Sequence, residues 1–79
     1  MKLVKGDIIK EVKTNPDAML SNTTENSTLV YKVVRVNKKT YGLECIDGYM
    51  NGTQCNRRKD FKESYTDIYG TTTTITLVS

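Results

Sequence analysis

A chain of 79 residues, of which 27% are charged and 37% hydrophobic, is expected to form one small, well-hydrated domain rather than a disordered tail. The formal net charge of +3 is milder than that of dedicated nucleic-acid binders. The absence of histidine excludes the commonest general base and all His-bearing zinc sites, and the isolated glycines exclude a phosphate-binding loop. We therefore expect a non-enzymatic protein with no metal or other cofactor.

The sequence also predicts where the protein resides. No apolar run reaches the roughly 18 residues that a membrane span needs. The opening "MKLVKGDIIKEVK" lacks the apolar centre of a signal peptide. We expect a cytoplasmic protein that does not enter a membrane. Cys45 and Cys55 are then expected to be reduced; the alternative is a disulfide between them, which is geometrically possible but is disfavoured by cytosolic redox conditions.

The first predicted elements are a strand and a long loop. Residues 6–12, "GDIIKEV", favour a strand, and residues 13–27 are polar enough to predict a loop. Within that loop, residues 15–20 indicate one helical turn, because Asn15 can cap it and Pro16 suits its first position. Loops of this length in small domains are often functional.

A hairpin follows the loop. Residues 28–37 predict a strand that is apolar on both faces, which is typical of the centre of a curved sheet. "NKKT" predicts a tight turn, and residues 40–46 form the returning strand, in which Gly42 indicates a bulge. The residues of this strand expected to point inward are Tyr41, Leu43 and Cys45. Residues 53–56, "TQCN", favour a short fourth strand.

The last elements predicted are a helix and a strand. A helix over 61–69 is indicated by an apolar spacing of i, i+4, i+7 and i+8 at Phe61, Tyr65, Ile68 and Tyr69. Asp60 and Glu63 resemble a capping box, and Gly70 suits the position after the helix. Residues 71–79, "TTTTITLVS", are β-branched and predict the final strand.

This order of elements predicts a mainly β fold, a small five-stranded barrel with one short helix before the last strand, spanning residues 1–79 as a single domain. The chain resembles SH3-like barrels, common in phages and mobile elements, in "KGDII", the long first loop, the hairpin "YKVVRVNKKTYGLECI" and the turn "RKDFKESY". The resemblance implies binding of peptides or nucleic acids, or assembly, and rarely catalysis. Recognition of PxxP peptides is not implied, because the chain has no tryptophan and the loop holds only Asp17 and Glu25 as acids.

Charge is unevenly distributed along the chain. Residues 32–62 carry eight cations against three acids, a net +5, whereas residues 1–31 are neutral and residues 63–79 carry −2. Such a basic segment can bind phosphates, and an exposed Tyr49 can stack on an unpaired base. The candidate nucleic-acid-binding residues are Lys32, Arg35, Lys38, Lys39, Arg57, Arg58, Lys59, Lys62 and Tyr49. The alternative is ordinary surface charge, which keeps hairpin tips and strand edges soluble.

Three functional hypotheses therefore stand at the level of sequence. The first is a small binding module that contacts nucleic acid through the basic segment 32–62. The second is a protein–protein interaction module, such as a phage accessory or host-interacting protein, that uses the loop 13–27. The third is a structural protein that assembles with itself through strand edges such as 71–78.

Overall fold

The computed structural model describes residues 1–15 and 27–79, which form one antiparallel sheet and no helix. The strands are β1 (Ile8–Thr14), β2 (Ser27–Val36), β3 (Thr40–Asp47), β4 (Gln54–Arg58), β5 (Ser64–Thr66) and β6 (Thr72–Leu77). Their order across the sheet is β4-β3-β2-β1-β6-β5, and the sheet curls into a half-barrel. The predicted mainly β, barrel-like fold is confirmed, whereas the count of five strands and the short helix are wrong.

The segment predicted as a helix over 61–69 forms β5 and a turn instead. β5 pairs with the first half of β6, and the Glu63 carbonyl oxygen accepts a hydrogen bond from the Ile75 N–H at 2.7 Å. This pairing gives hydrogen-bond partners to backbone N–H and C=O groups on the outer side of β6. A helix over 61–69 would leave those groups unpaired, and a helix of nine residues is only marginally stable on its own. Of the four apolar residues assigned to the helix face, Phe61 packs on the core, while Tyr65, Ile68 and Tyr69 are exposed.

The buried apolar side chains form a hydrophobic core on the concave face of the sheet. Alternate residues of β1, β2, β3 and β6 point into it, because successive side chains of a strand face opposite sides. The predicted inward set Tyr41, Leu43 and Cys45 is confirmed as buried. The other buried apolar residues of this cluster are Leu3, Ile9, Leu29, Tyr31, Val33 and Ile75.

The bulge expected near Gly42 is present on the partner strand. The register between β2 and β3 shifts between Val33 and Arg35, and Arg35 then lies opposite Gly42. A Cβ on Gly42 would come within 3.1 Å of the Arg35 Cβ and Nε. The missing side chain therefore gives Arg35 room to lie across the sheet on the convex side.

Two segments outside the strands pack on the concave face. Leu3 is buried there, and its N–H donates a hydrogen bond to the Tyr41 hydroxyl oxygen at 3.1 Å. The Gly6 N–H and the Asp7 carbonyl oxygen both bond to the backbone of Val33, each at 2.8 Å. From the other segment, Phe61 meets the Tyr41 ring edge-on, with the ring centres 6.5 Å apart.

Two further sequence predictions concern the loop and the edges. The helical turn at 15–20 and most of the loop 13–27 lie outside the described residues. The first half of the edge proposed at 71–78 is covered, because β5 pairs with residues 72–74 of β6, whereas β5 does not pair with Thr76 and Leu77. Among the described strands the sheet ends at β4 and β5 instead. None of the described residues belongs to a helix that is long and apolar enough to cross a bilayer.

Candidate nucleic-acid interface

The turn between β2 and β3 meets the end of β4 and forms an open groove with a volume of about 560 Å³. Thr40 pairs with Arg58 across β3 and β4, and the Lys59 N–H donates to the Lys39 carbonyl oxygen at 2.9 Å. This pairing brings together two segments that are twenty residues apart in sequence. We call this site the basic groove; its lining residues are Lys38, Lys39, Thr40, Arg58, Lys59 and Asp60.

The basic groove holds four cations and one carboxylate. Arg58 Nη2 lies 3.1 Å from Asp60 Oδ2, but both side chains are mostly exposed, so this ion pair is weak and can exchange for a ligand phosphate. Lys59 Nζ lies 5.4 Å from the centre of the Tyr41 ring, and this cation–π contact orients it. Lys38 and Lys39 are exposed at the turn. The groove thus presents a concentrated positive charge at the surface.

Arg57 does not contribute to the basic groove, although it is adjacent to Arg58 in sequence. It pairs with Tyr41, so its side chain points to the concave face, opposite to Arg58. There its Nη2 lies 2.8 Å from Glu11 Oε2, and the Glu11 side chain is only 5% exposed. Moving Arg57 toward a phosphate would leave a buried carboxylate without its main partner, which is strongly unfavourable.

The Glu11–Arg57 ion pair is also the clearest evidence for the curl of the sheet. β1 and β4 are three strand positions apart, which is about 14 Å in a flat sheet. Their side chains meet only because the sheet bends around them. The guanidinium lies 5.7 Å from the centre of the Tyr31 ring and 5.8 Å from that of Phe61, so it fills the inside of the bend.

The electrostatics of this interior do not favour nucleophilic chemistry. Burial, reinforced by the Glu11 carboxylate, raises the pKa of Tyr31 to about 12. Cys55 is an exposed residue, but partial burial of its thiol also raises the pKa of that thiol, which the nearby Arg57 only partly opposes. Because the thiolate is the reactive form of cysteine, Cys55 is not activated by its surroundings. Among the described residues there is no group of three or more acidic, His or Cys side chains that could hold a metal ion.

The remaining predicted residues lie apart from the basic groove. Lys32 is exposed on the convex face opposite Glu44, and Arg35 lies over Gly42 on that same face. Lys62 is exposed in the connection between β4 and β5.

Tyr49, the predicted stacking residue, follows β3 at the strand end opposite the basic groove. That strand has eight residues, a length of about 25 Å. Tyr49 and the groove therefore cannot contact the same nucleotide. The structure brings Lys38, Lys39, Arg58 and Lys59 together and separates the other candidates from them.

Three residues with roles at or behind the groove were not predicted. Thr40 and Asp60 line the groove. In the sequence they are adjacent to Lys39 and Lys59, which were predicted, and this adjacency could have indicated them. Glu11, which holds Arg57 inside the sheet, is a charged residue on the inward face of β1. A charged residue at an inward position indicates a buried partner, but sequence alone does not say which cation reaches it.

Comparison with family models, with curated proteins and with solved structures finds no match to this chain. The curled all-β sheet is compatible with a barrel-like fold.

Proposed function

We propose that this chain is a non-enzymatic binding module of the SH3-like barrel type that binds the nucleic-acid backbone in its basic groove. The observation that carries the proposal is the convergence of Lys38, Lys39, Arg58 and Lys59 from two separate segments. Lys and Arg contacts to phosphate supply most of the sequence-independent affinity of nucleic-acid binders. A single groove of this size suits a few consecutive phosphates of one strand.

The proposal sets the expected strength and salt dependence of binding. Four cations that each neutralise one phosphate of a single strand give a slope of log K against log salt of about −3. Binding should be weak, insensitive to base sequence and strongest at low salt. None of the side chains that line the groove is aromatic, and the nearby Tyr41 ring is buried.

The test measures fluorescence anisotropy of labelled oligo-dT and oligo-rU of about 12 nucleotides, and of a DNA duplex, over a salt series. We expect Lys38→Ala with Lys39→Ala to weaken single-strand binding about tenfold at low salt and to make the slope shallower by about 1.4. The matched control is Lys5→Ala with Lys10→Ala, which removes the same charge from exposed positions outside the groove. Equal losses in the two double variants, or no salt-sensitive binding by the wild type, would contradict the proposal.

The protein-interaction hypothesis remains a second proposal, but its loop 13–27 lies almost entirely outside the described residues. Its test is affinity capture with the wild type and with a variant that lacks residues 21–27. An identical set of captured proteins would count against the loop as a contact site.

A further inference from the structure

The basic groove contains one group that phosphate binding does not need, the carboxylate of Asp60. It is the only acidic side chain among the lining residues, and it lies among four cations. A negative charge at this position weakens the attraction for phosphate, because like charges repel. The Asp60 side chain is 69% exposed, so a ligand in the groove can reach it directly.

Asp60 is held by one weak contact. Its Oδ2 lies 3.1 Å from Arg58 Nη2, and in the described part of the chain its carboxylate forms no ion pair with a lysine of the groove. Arg58 is also mostly exposed, so this contact contributes little to stability. A ligand phosphate can therefore compete with Asp60 for Arg58.

Binding of a phosphate to Arg58 leaves the Asp60 carboxylate beside a second anion. An ionised carboxylate only accepts hydrogen bonds, so it needs an N–H or O–H donor from the ligand. The sugar–phosphate backbone of DNA has acceptor oxygens and no donor. The backbone of RNA carries a 2′-hydroxyl, which donates as well as accepts, on every nucleotide. Asp60 can therefore bind the backbone of RNA, whereas it only repels the backbone of DNA.

The spacing of the two side chains suits a single ribonucleotide. The 2′-hydroxyl and the 3′-phosphate are attached to neighbouring carbon atoms of the same sugar ring. The Arg58 and Asp60 charged groups lie 3.1 Å apart on the same wall of the groove. Arginine has five N–H donors, so Arg58 can bind the phosphate while Asp60 accepts from the adjacent hydroxyl.

We propose that the basic groove selects RNA over DNA, because Asp60 accepts a hydrogen bond from a ribose 2′-hydroxyl while Arg58 binds the adjacent phosphate. This inference rests on the proposed binding of the nucleic-acid backbone in the groove, and it names the class of nucleic acid bound. The cations supply the affinity, and Asp60 determines the specificity.

The test measures fluorescence anisotropy, at low salt, of labelled uridine oligomers of about 12 nucleotides that differ only in the 2′ substituent. The substituents are hydroxyl, hydrogen, fluorine and methoxy, of which hydroxyl alone is a donor. Fluorine and methoxy preserve the sugar conformation of RNA, so they separate donation from ring shape. The proteins are the wild type, Asp60→Ala and the matched control Asp47→Ala, which removes an exposed acid at the opposite end of β3.

We expect the wild type and Asp47→Ala to bind the hydroxyl oligomer about fivefold more tightly than each of the other three. Asp60→Ala should bind all the oligomers with affinities within about twofold of one another, because it loses the acceptor and also the repulsion of the DNA backbone. Asp60 is exposed, so this variant should keep the melting temperature of the wild type.

The possible failures are distinguishable. Salt-sensitive binding of all the oligomers with equal affinity, or a preference for the hydroxyl oligomer that persists in Asp60→Ala, overturns the selectivity assigned to Asp60 and leaves backbone binding intact. Tighter binding of the fluorine and methoxy oligomers as well as the hydroxyl oligomer shows selection by sugar shape, and also overturns it. The absence of salt-sensitive binding to any oligomer refutes the proposed function and this inference together.

Discussion

At the scale of single residues, the Glu11–Arg57 ion pair is the polar contact that holds the interior of the bend together. The Glu11 carboxylate is almost fully buried, and Arg57 is about one-fifth exposed. We expect Arg57→Met to lower the free energy of unfolding by about 2–4 kcal/mol, since it leaves a buried charge with only Lys13, at 3.9 Å, nearby among the residues that the structure describes. The measurement is urea denaturation at neutral pH.

Two controls separate this ion pair from general charge effects. Arg58→Met removes the same group from an exposed position and should change stability by less than about 0.5 kcal/mol. The double variant Glu11→Met with Arg57→Met should recover most of the loss, because an apolar pair can replace a buried ion pair. Equal effects of Arg57→Met and Arg58→Met would contradict the structural role assigned to Arg57.

Tyr31 makes a prediction about alkaline pH. Its pKa is raised from 10.0 to about 12 in the folded chain, first by burial and then by the Glu11 carboxylate. The folded state therefore favours the neutral phenol. This contribution to stability is fully present below pH 10 and is lost as pH rises to about 12, a loss of about 2 kcal/mol. We expect Tyr31→Phe to show a correspondingly smaller fall in unfolding free energy between about pH 9 and pH 12. Parallel curves for the two proteins would show that Tyr31 does not titrate in this way.

At the scale of elements, the turn between β3 and β4 contains a steric requirement for glycine. Gly48 has a φ of +112°, and a Cβ there would lie 2.6 Å from Leu29 Cδ2 and 2.7 Å from the Thr28 carbonyl oxygen. Gly52, in the same connection, has a φ of +91° but nothing within 4 Å of a Cβ. Gly52→Ala should thus cost about 1 kcal/mol through backbone strain alone, and Gly48→Ala about 3 kcal/mol through strain and overlap. Thermal and urea denaturation of the two variants provide the comparison, and similar losses would refute the close approach to Leu29.

The elements also show how far sequence patterns reach in this chain. Period-two alternation located the β2–β3 hairpin and the inward residues Tyr41 and Leu43, because one face of those strands is buried. The apolar residues of 61–69 match the i, i+4, i+7 and i+8 spacing of a helix just as well, yet this segment does not form a helix. The decisive factor was non-local, since β6 required a partner on its outer side and β5 supplied it.

Sequence patterns identified part of the candidate site as well. The sequence identified the four cations of the basic groove, because charge clustering is a local property. It did not separate Arg57 from Arg58, which differ only in the face of β4 they occupy. That separation depends on the register of β4 against β3 and on the curl that brings Glu11 within reach.

At the scale of the whole molecule, a single curled sheet has one face to bury and needs other segments to cover it. The N-terminal segment provides Leu3, which is 3% exposed against the strands, while its neighbour Val4 is 58% exposed. A domain of this size has a small total stability, so one buried side chain is a large fraction of it. We expect Leu3→Ala to reduce the free energy of unfolding by about 2–4 kcal/mol and Val4→Ala by less than about 0.5 kcal/mol.

Amide hydrogen exchange can show where in the chain Leu3→Ala acts, in addition to its effect on overall stability. If residues 1–7 cover the concave face, Leu3→Ala should increase exchange first at the N–H groups of Gly6 and Val33, whose bonds tie this segment to β2. Exchange in the turn between β5 and β6 should follow only the global loss of stability, because the bonds that order this turn are made by Asp67 and Asn15 at the far end of the strands, whereas Glu63 at the start of β5 is ion-paired with the N-terminal ammonium. A uniform increase in exchange for all amides, or an equal response to Val4→Ala, would mean that the N-terminal segment is not the cover of the core.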